Sequence, residues 1–155
     1  MSHLHLHIGA EHTSLGQAQA QAAQQQTSMP VGWQTALACG KQPTLPTAAA
    51  LELAIMQVED AISASWPQRL ALDTVSSSDP AIYQMAALCG LPQHPGSQLG
   101  RHSVEGLFSR LANAVEGGAA AGLPDSAEFI ASLLILRELL HHLDIATITL
   151  TRPAS

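Results

Sequence analysis

The segment from Pro124 to His142 constrains the fold of this chain more than any other stretch. It reads P-D-S-A-E-F-I-A-S-L-L-I-L-R-E-L-L-H-H, so large apolar side chains would cover most of the circumference of a helix. Asp125 can cap the first turn, and Glu128, three residues later, can return a hydrogen bond to the backbone. A helix this apolar must be buried on several sides. We therefore predict a central core helix over residues 125–142.

Hydrophobic periodicity places further elements on both sides of this helix. Helical spacing appears in three other segments, which are the residues after Thr47, Ala81 to Leu88, and Ser103 to Val115. Alternation predicts strands over His3 to Ile8, Arg69 to Val75, and Ile145 to Thr151, and two prolines and two glycines predict a loop from Leu91 to Gly100. This order predicts one α+β domain over residues 1–155, a two-layer fold in which about four helices cover a small, mostly antiparallel or mixed sheet. The first and last strands are expected to be neighbours.

Residues 14–30 are predicted to be a flexible segment. The run Q-A-Q-A-Q-A-A-Q-Q-Q from Gln17 to Gln26 has no large apolar side chain to bury. Beyond it, residues 31–40 resemble residues 81–90, because Gln, Ala, Cys and Gly recur behind an aromatic residue at a separation of 50 positions. Either a duplicated helical unit or chance in an Ala- and Gln-rich chain explains this similarity.

The charge content limits the partners of the chain. Only 12% of the residues are charged, about half the usual share, and the formal net charge is −6 with six Lys and Arg. No basic patch is visible, so we expect neither a nucleic-acid nor a membrane partner. A surface with few charges favours self-association, so we expect a homo-oligomer, first of all a dimer. Another protein is a possible partner. No signal-like N-terminus or stretch of ~18 apolar residues occurs, so we expect a cytoplasmic protein.

The histidines near the N-terminus offer a candidate metal site. Strand alternation would place His3, His5 and His7 on one face, with neighbouring imidazoles about 7 Å apart. Such nitrogen ligands suit zinc, nickel or copper. The alternative interpretation is the solvated face of an edge strand at a chain terminus.

The end of the core helix offers a second candidate. Glu138 is separated from His141 and His142 by three and four residues, a spacing that lets two side chains share one ligand sphere. Acids from other helices would have to complete this cluster, and the candidates are Glu52, Glu59 and Glu105. The alternative is structural, because histidines in a last turn can bind free carbonyls and favour the negative end of the helix dipole.

Motifs for common catalytic sites do not occur in this sequence. There is no GxSxG elbow, phosphate-binding loop, GxGxxG turn, HExxH or zinc-ribbon spacing. The leading hypothesis is therefore a small cytoplasmic accessory or interaction protein that self-associates. The rival is a histidine-rich metal-binding protein or metalloenzyme that uses the HxHxH stretch. A third hypothesis is an enzyme whose pocket is lined by residues 91–102.

Overall fold

Four helices pack on a six-stranded mixed sheet in the part of the chain that the structure describes. The structure is a computed structural model, and it describes residues 3–17, 26–36, 46–66, 74–118, 122–124 and 126–152. Its elements are β1 His3–Ile8, β2 Thr13–Gln17, β3 Gln26–Met29, α1 Ala48–Ser65, β4 Thr74–Ser77, α2 Pro80–Leu88, β5 Gln98–Gly100, α3 Arg101–Val115, α4 Ala127–His142 and β6 Thr147–Leu150. The predicted α+β class, with helices covering a small mixed sheet, is confirmed.

The strand order is β3-β2-β1-β4-β6-β5. The pairs β1–β4 and β4–β6 are parallel, and the other three pairs are antiparallel. Parallel neighbours require a crossover, and the helices α1 to α4 lie in the connections that make it. The carboxyl ends of β1, β4 and β6 therefore meet at one edge of the sheet. Because β4 lies between β1 and β6, the expectation that the first and last strands are neighbours is wrong.

Helix α4 is the core helix that its sequence predicts. Eleven of its 16 residues are buried, and it packs against α1, α2 and α3. The helix begins with Ser126 as its N-cap, since the Ser126 hydroxyl accepts a hydrogen bond from the Phe129 amide at 3.2 Å. The predicted cap residue, Asp125, lies outside the described residues. Asp144, in a left-handed conformation with φ 55°, follows the helix.

Short strands account for most of the differences from the sequence prediction. Strands β2 and β3 occupy both ends of the segment that was expected to be flexible, and residues 18–25 lie outside the described part. Leu15 and Met29, which are 1% and 0% exposed, anchor these strands in the core. Strand β5 likewise occupies the end of the predicted loop. Tertiary pairing has overridden local composition in all three strands.

Two other predictions fall partly outside the described residues. The strand expected over residues 69–75 is described only from Thr74, where β4 begins. Residues 37–45 are not described, so the similarity between residues 31–40 and 81–90 stays a prediction. Each helix in the described ranges is too short or too polar to cross a membrane.

Candidate functional site

A histidine–aspartate pair lies where β1 and β4 end. These strands are adjacent and parallel, so His7 near the end of β1 meets Asp79 just after β4. Nδ1 of His7 lies 2.6 Å from Oδ1 of Asp79, and Oδ2 of Asp79 accepts the Ile8 amide at 2.7 Å. Because an ionised carboxylate only accepts hydrogen bonds, Nδ1 carries the proton in neutral His7 and the lone pair is on Nε2. The His7 side chain is 60% exposed, whereas that of Asp79 is only 9% exposed.

The turn between β1 and β2 forms a concavity beside this pair. Gly9 closes the turn by donating its amide to the His12 carbonyl at 2.8 Å. The amides of Trp33 and Gln34 donate to the carbonyls of Gly9 and Ala10 at 2.9 and 2.8 Å, which fixes the turn from the neighbouring segment. The concavity has a volume of about 600 Å³ and is lined by His7, Gly9, Ala10, Glu11, His12, Ser14 and Ser28. This lining could bind a cation or transfer a proton through an imidazole or Glu11.

The other two N-terminal histidines contact β4. Nε2 of His3 lies 3.2 Å and Nδ1 of His5 lies 3.3 Å from the hydroxyl oxygen of buried Ser76. Burial lowers the pKa of His5 below its ordinary 6.5, and this effect exceeds the opposing attraction of Asp79. Leu6 and Ile8 point to the other side and are buried, as alternation predicts.

These three histidines share a face without converging on one point. Within the described ranges, the ligand atoms of His3, His5 and His7 do not form a group of three within 4.8 Å of one another. Metal binding by this face stays a prediction.

A second cluster joins the end of α4 to the middle of α1. Possible ligand atoms of Glu59, Glu138 and His142 all lie within 4.8 Å of one another. Nε2 of His142 is 3.8 Å from one carboxylate oxygen of Glu59 and 3.8 Å from Oε1 of Glu138. Burial, reinforced by a hydrogen bond to Glu59, raises the pKa of Glu138 above its ordinary value of 4.5. Of the three acids considered from sequence, Glu59 is the one that joins Glu138.

The remaining candidates from the sequence lie elsewhere. His141 lines a different concavity of about 560 Å³ with Arg101, His102, Glu105 and Asp144. Glu105 is paired with Arg137, whose Nε lies 3.2 Å from it. Gln93 and Pro95 of the predicted loop line a third, mainly apolar concavity of about 700 Å³ beside α2.

Asp79 is the site residue that sequence reasoning missed. The pair Asp79-Pro80 indicates a helix cap, and Asp79 is indeed the N-cap residue of α2. Its side chain makes no capping hydrogen bond and binds β1 instead. A polar residue at the carboxyl end of a strand is the signal that could have found it.

Solved structures resemble this chain over nearly its whole length. No family model and no curated protein matches it in sequence. A PPX-GPPA enzyme of Aquifex aeolicus aligns with a TM-score of 0.73 at 13% identity, covering 98% of this chain and 54% of that chain. An exopolyphosphatase-like protein aligns with a TM-score of 0.71 at 15% identity, covering 98% and 56%. An exopolyphosphatase from Cytophaga hutchinsonii aligns with a TM-score of 0.56 at 11% identity, covering 97% and 53%.

This likeness shows a shared fold. The identities are too low to carry residue roles from one protein to the other. The chain spans about half the length of the structures that it matches.

Proposed function

We propose that this chain is a cytoplasmic accessory domain that has no catalytic activity of its own and binds other polypeptides, first of all a second copy of itself. The observation that carries this proposal is the composition of the concavity beside His7 and Asp79. Among the described residues, those that line the concavity include Glu11, two imidazoles and two hydroxyls but no Lys or Arg. A polyanionic substrate would be repelled there, not held.

The comparison with exopolyphosphatases sharpens this argument. Phosphoryl transfer depends on cations and donors that stabilise charge on the transferred group. In this chain the amide of Ile8 donates to Asp79, and the amide of Gly9 donates to the His12 carbonyl, so neither is free for a phosphate. The described lining of this concavity thus offers a phosphate no Lys or Arg side chain and neither of these two amides, which favours a binding role.

Helix α1 supplies the surface on which we base self-association. Leu53 and Met56 are 50% and 59% exposed, and their spacing of three residues places them on one face of the helix. A symmetric dimer would pair this face with itself, so that each Met56 contacts the partner helix. The low charge content of the chain favours the same association.

Light scattering after size-exclusion chromatography tests the proposal with a matched pair of variants. We expect the natural chain and Ser109→Glu, which adds one charge on the exposed side of α3, to elute as dimers. Met56→Glu should be monomeric. Met56→Leu keeps an apolar side chain at this position and should remain dimeric. A natural chain that stays monomeric at high concentration would refute self-association. Polyphosphate hydrolysis that disappears in His7→Gln would refute the non-catalytic role.

A second candidate function is metal binding at the N-terminal histidines. It is favoured by the contact between His7 and Asp79, because metal-binding imidazoles often donate their other N–H to a carboxylate. Zinc, nickel or copper would suit His3, His5 and His7. Metal analysis of the natural chain against a variant with all three changed to alanine distinguishes this function from the accessory role.

A further inference from the structure

The geometry points to a transition-metal site of the zinc class between α1 and α4, with Glu59, Glu138 and His142 as its three protein ligands. This inference goes beyond the proposed function and does not depend on it. The site also differs from the pair of His7 and Asp79, because α4 ends where β6 begins, whereas His7 and Asp79 lie where the parallel strands β1 and β4 end.

The donor atoms already lie close to the spacing that a zinc ion requires. Zinc binds nitrogen and oxygen at about 2.0–2.1 Å in tetrahedral geometry, which separates neighbouring ligand atoms by about 3.4 Å. Nε2 of His142 is 3.8 Å from an oxygen of Glu59 and from one of Glu138. A contraction of about half an ångström would bring each pair to the distance of a bound ion. The side chains of Glu59 and His142 are 44% and 31% exposed, so they have room to move.

The third ligand, Glu138, is held in place by its own partner. Its side chain is 2% exposed, and Oε2 accepts a hydrogen bond from Nη1 of Arg137 at 2.7 Å. Oε1, the other oxygen, is the one that faces His142. Arg137 is fixed in turn by Glu105 at 3.2 Å and by the ring of Phe108, whose centroid lies 4.4 Å from the guanidinium carbon. Such outer contacts are the ones that orient ligands in metal sites.

The chemistry of the donors selects the class of metal. Two carboxylates face one imidazole, and a divalent cation between them would offset the repulsion of the acids. The imidazole nitrogen favours zinc over magnesium or calcium, which prefer oxygen ligands throughout. Because Glu59 and His142 are partly exposed, solvent can occupy the fourth coordination position of the metal. Because the ligands come from two helices, the ion would also fasten α1 to α4.

Zinc titration of the full chain by calorimetry tests this site. Glu59→Gln and His142→Gln remove ligands that are partly exposed, so both variants should fold, which circular dichroism checks. We expect each to weaken zinc binding at least about tenfold. His141→Gln is the matched control, since this neighbouring histidine lies outside the cluster, and its affinity should stay within about twofold of the natural chain.

A second background separates this site from the N-terminal histidines. In a chain with His3, His5 and His7 changed to alanine, one zinc ion should still bind and should raise the melting temperature. Glu59→Gln should weaken this binding at least about tenfold and make the rise in melting temperature smaller at the same zinc concentration. Loss of all zinc binding in the chain without His3, His5 and His7, or unchanged binding in Glu59→Gln, would overturn the inference. The oligomeric state is measured separately in the presence of a chelator. Failure of the zinc site is thereby distinguished from failure of the proposed self-association.

Discussion

Replacing Asp79 with alanine should destabilise the fold through the strand that it holds, and not through the helix that it caps. The carboxylate accepts the Ile8 amide at 2.7 Å and His7 at 2.6 Å, and it makes no capping bond to α2. Removing it leaves the amide of buried Ile8 without this acceptor. The alanine also releases His7 from the orientation that it has in the concavity.

The two contacts of Asp79 contribute unequally to the free energy of unfolding. A buried hydrogen bond to a charged group contributes about 1.5–3 kcal/mol. The contact with His7 contributes about 1 kcal/mol at most, because the His7 side chain is 60% exposed and solvent screens the pair. We therefore expect Asp79→Ala to lower the free energy of unfolding by about 2–4 kcal/mol. In a chain of 155 residues this corresponds to a fall in Tm of roughly 5–15 °C.

Urea unfolding followed by circular dichroism measures this loss. Asp60→Ala is the control, because Asp60 is an exposed acid on α1 and its removal should change stability by about 0.5 kcal/mol or less. Asp79→Asn keeps an oxygen for the Ile8 amide and should cost less than the alanine variant. A loss in Asp79→Ala no larger than that in Asp60→Ala would refute the role of the buried carboxylate. A loss in His7→Ala as large as that in Asp79→Ala would refute the division between the two contacts.

Two further predictions concern the neighbourhood of the same turn. A Cβ on Gly32 would clash with the Gly9 carbonyl oxygen, so Gly32→Ala should lower the free energy of unfolding by about 1–3 kcal/mol. Gly106→Ala in α3, where the Cβ meets nothing within 4 Å, should raise it by about 0.5–1 kcal/mol. Changes of equal sign in urea unfolding would contradict this. Because burial lowers the pKa of His5 in the folded chain, the unfolded chain binds a proton more readily, and stability should fall as the pH drops from 6.5 through the folded pKa. His5→Gln should lose less stability than the natural chain over that range, and equal slopes for His5→Gln and the natural chain would exclude this origin.

The elements that could be predicted from sequence are those that carry their own periodic signal. Strand β1 alternates over all of its residues, and α4 carries large apolar side chains around most of its circumference, so both are evident without any knowledge of their partners. Strands β2, β3 and β5 have three to five residues each, and each has one large buried apolar side chain as its anchor, namely Leu15, Met29 and Leu99. These strands form because they pair with strands that are distant in the sequence. No short stretch of sequence contains that information.

The same distinction between local pattern and long-range pairing applies to the candidate site. The shared face of His3, His5 and His7 follows from alternation within one strand, as the structure shows. The contact between His7 and Asp79 spans 72 positions of the chain and depends on the parallel pairing of β1 with β4. In the same way, the choice of Glu59 as a partner of Glu138 follows from the packing of α1 on α4.

The topology also separates the His7 concavity from the Glu59–Glu138–His142 cluster. The concavity of His7 lies at the carboxyl ends of the parallel strands, and the last turn of α4 leads into the amino end of β6. Strands of four to six residues, at about 3.3 Å per residue, separate these ends by roughly 13–20 Å. At that distance, substitutions without shared partners have nearly additive effects. The His7 concavity and the Glu59–Glu138–His142 cluster therefore cannot supply ligands to one ion, and a result at either site leaves the hypothesis for the other intact.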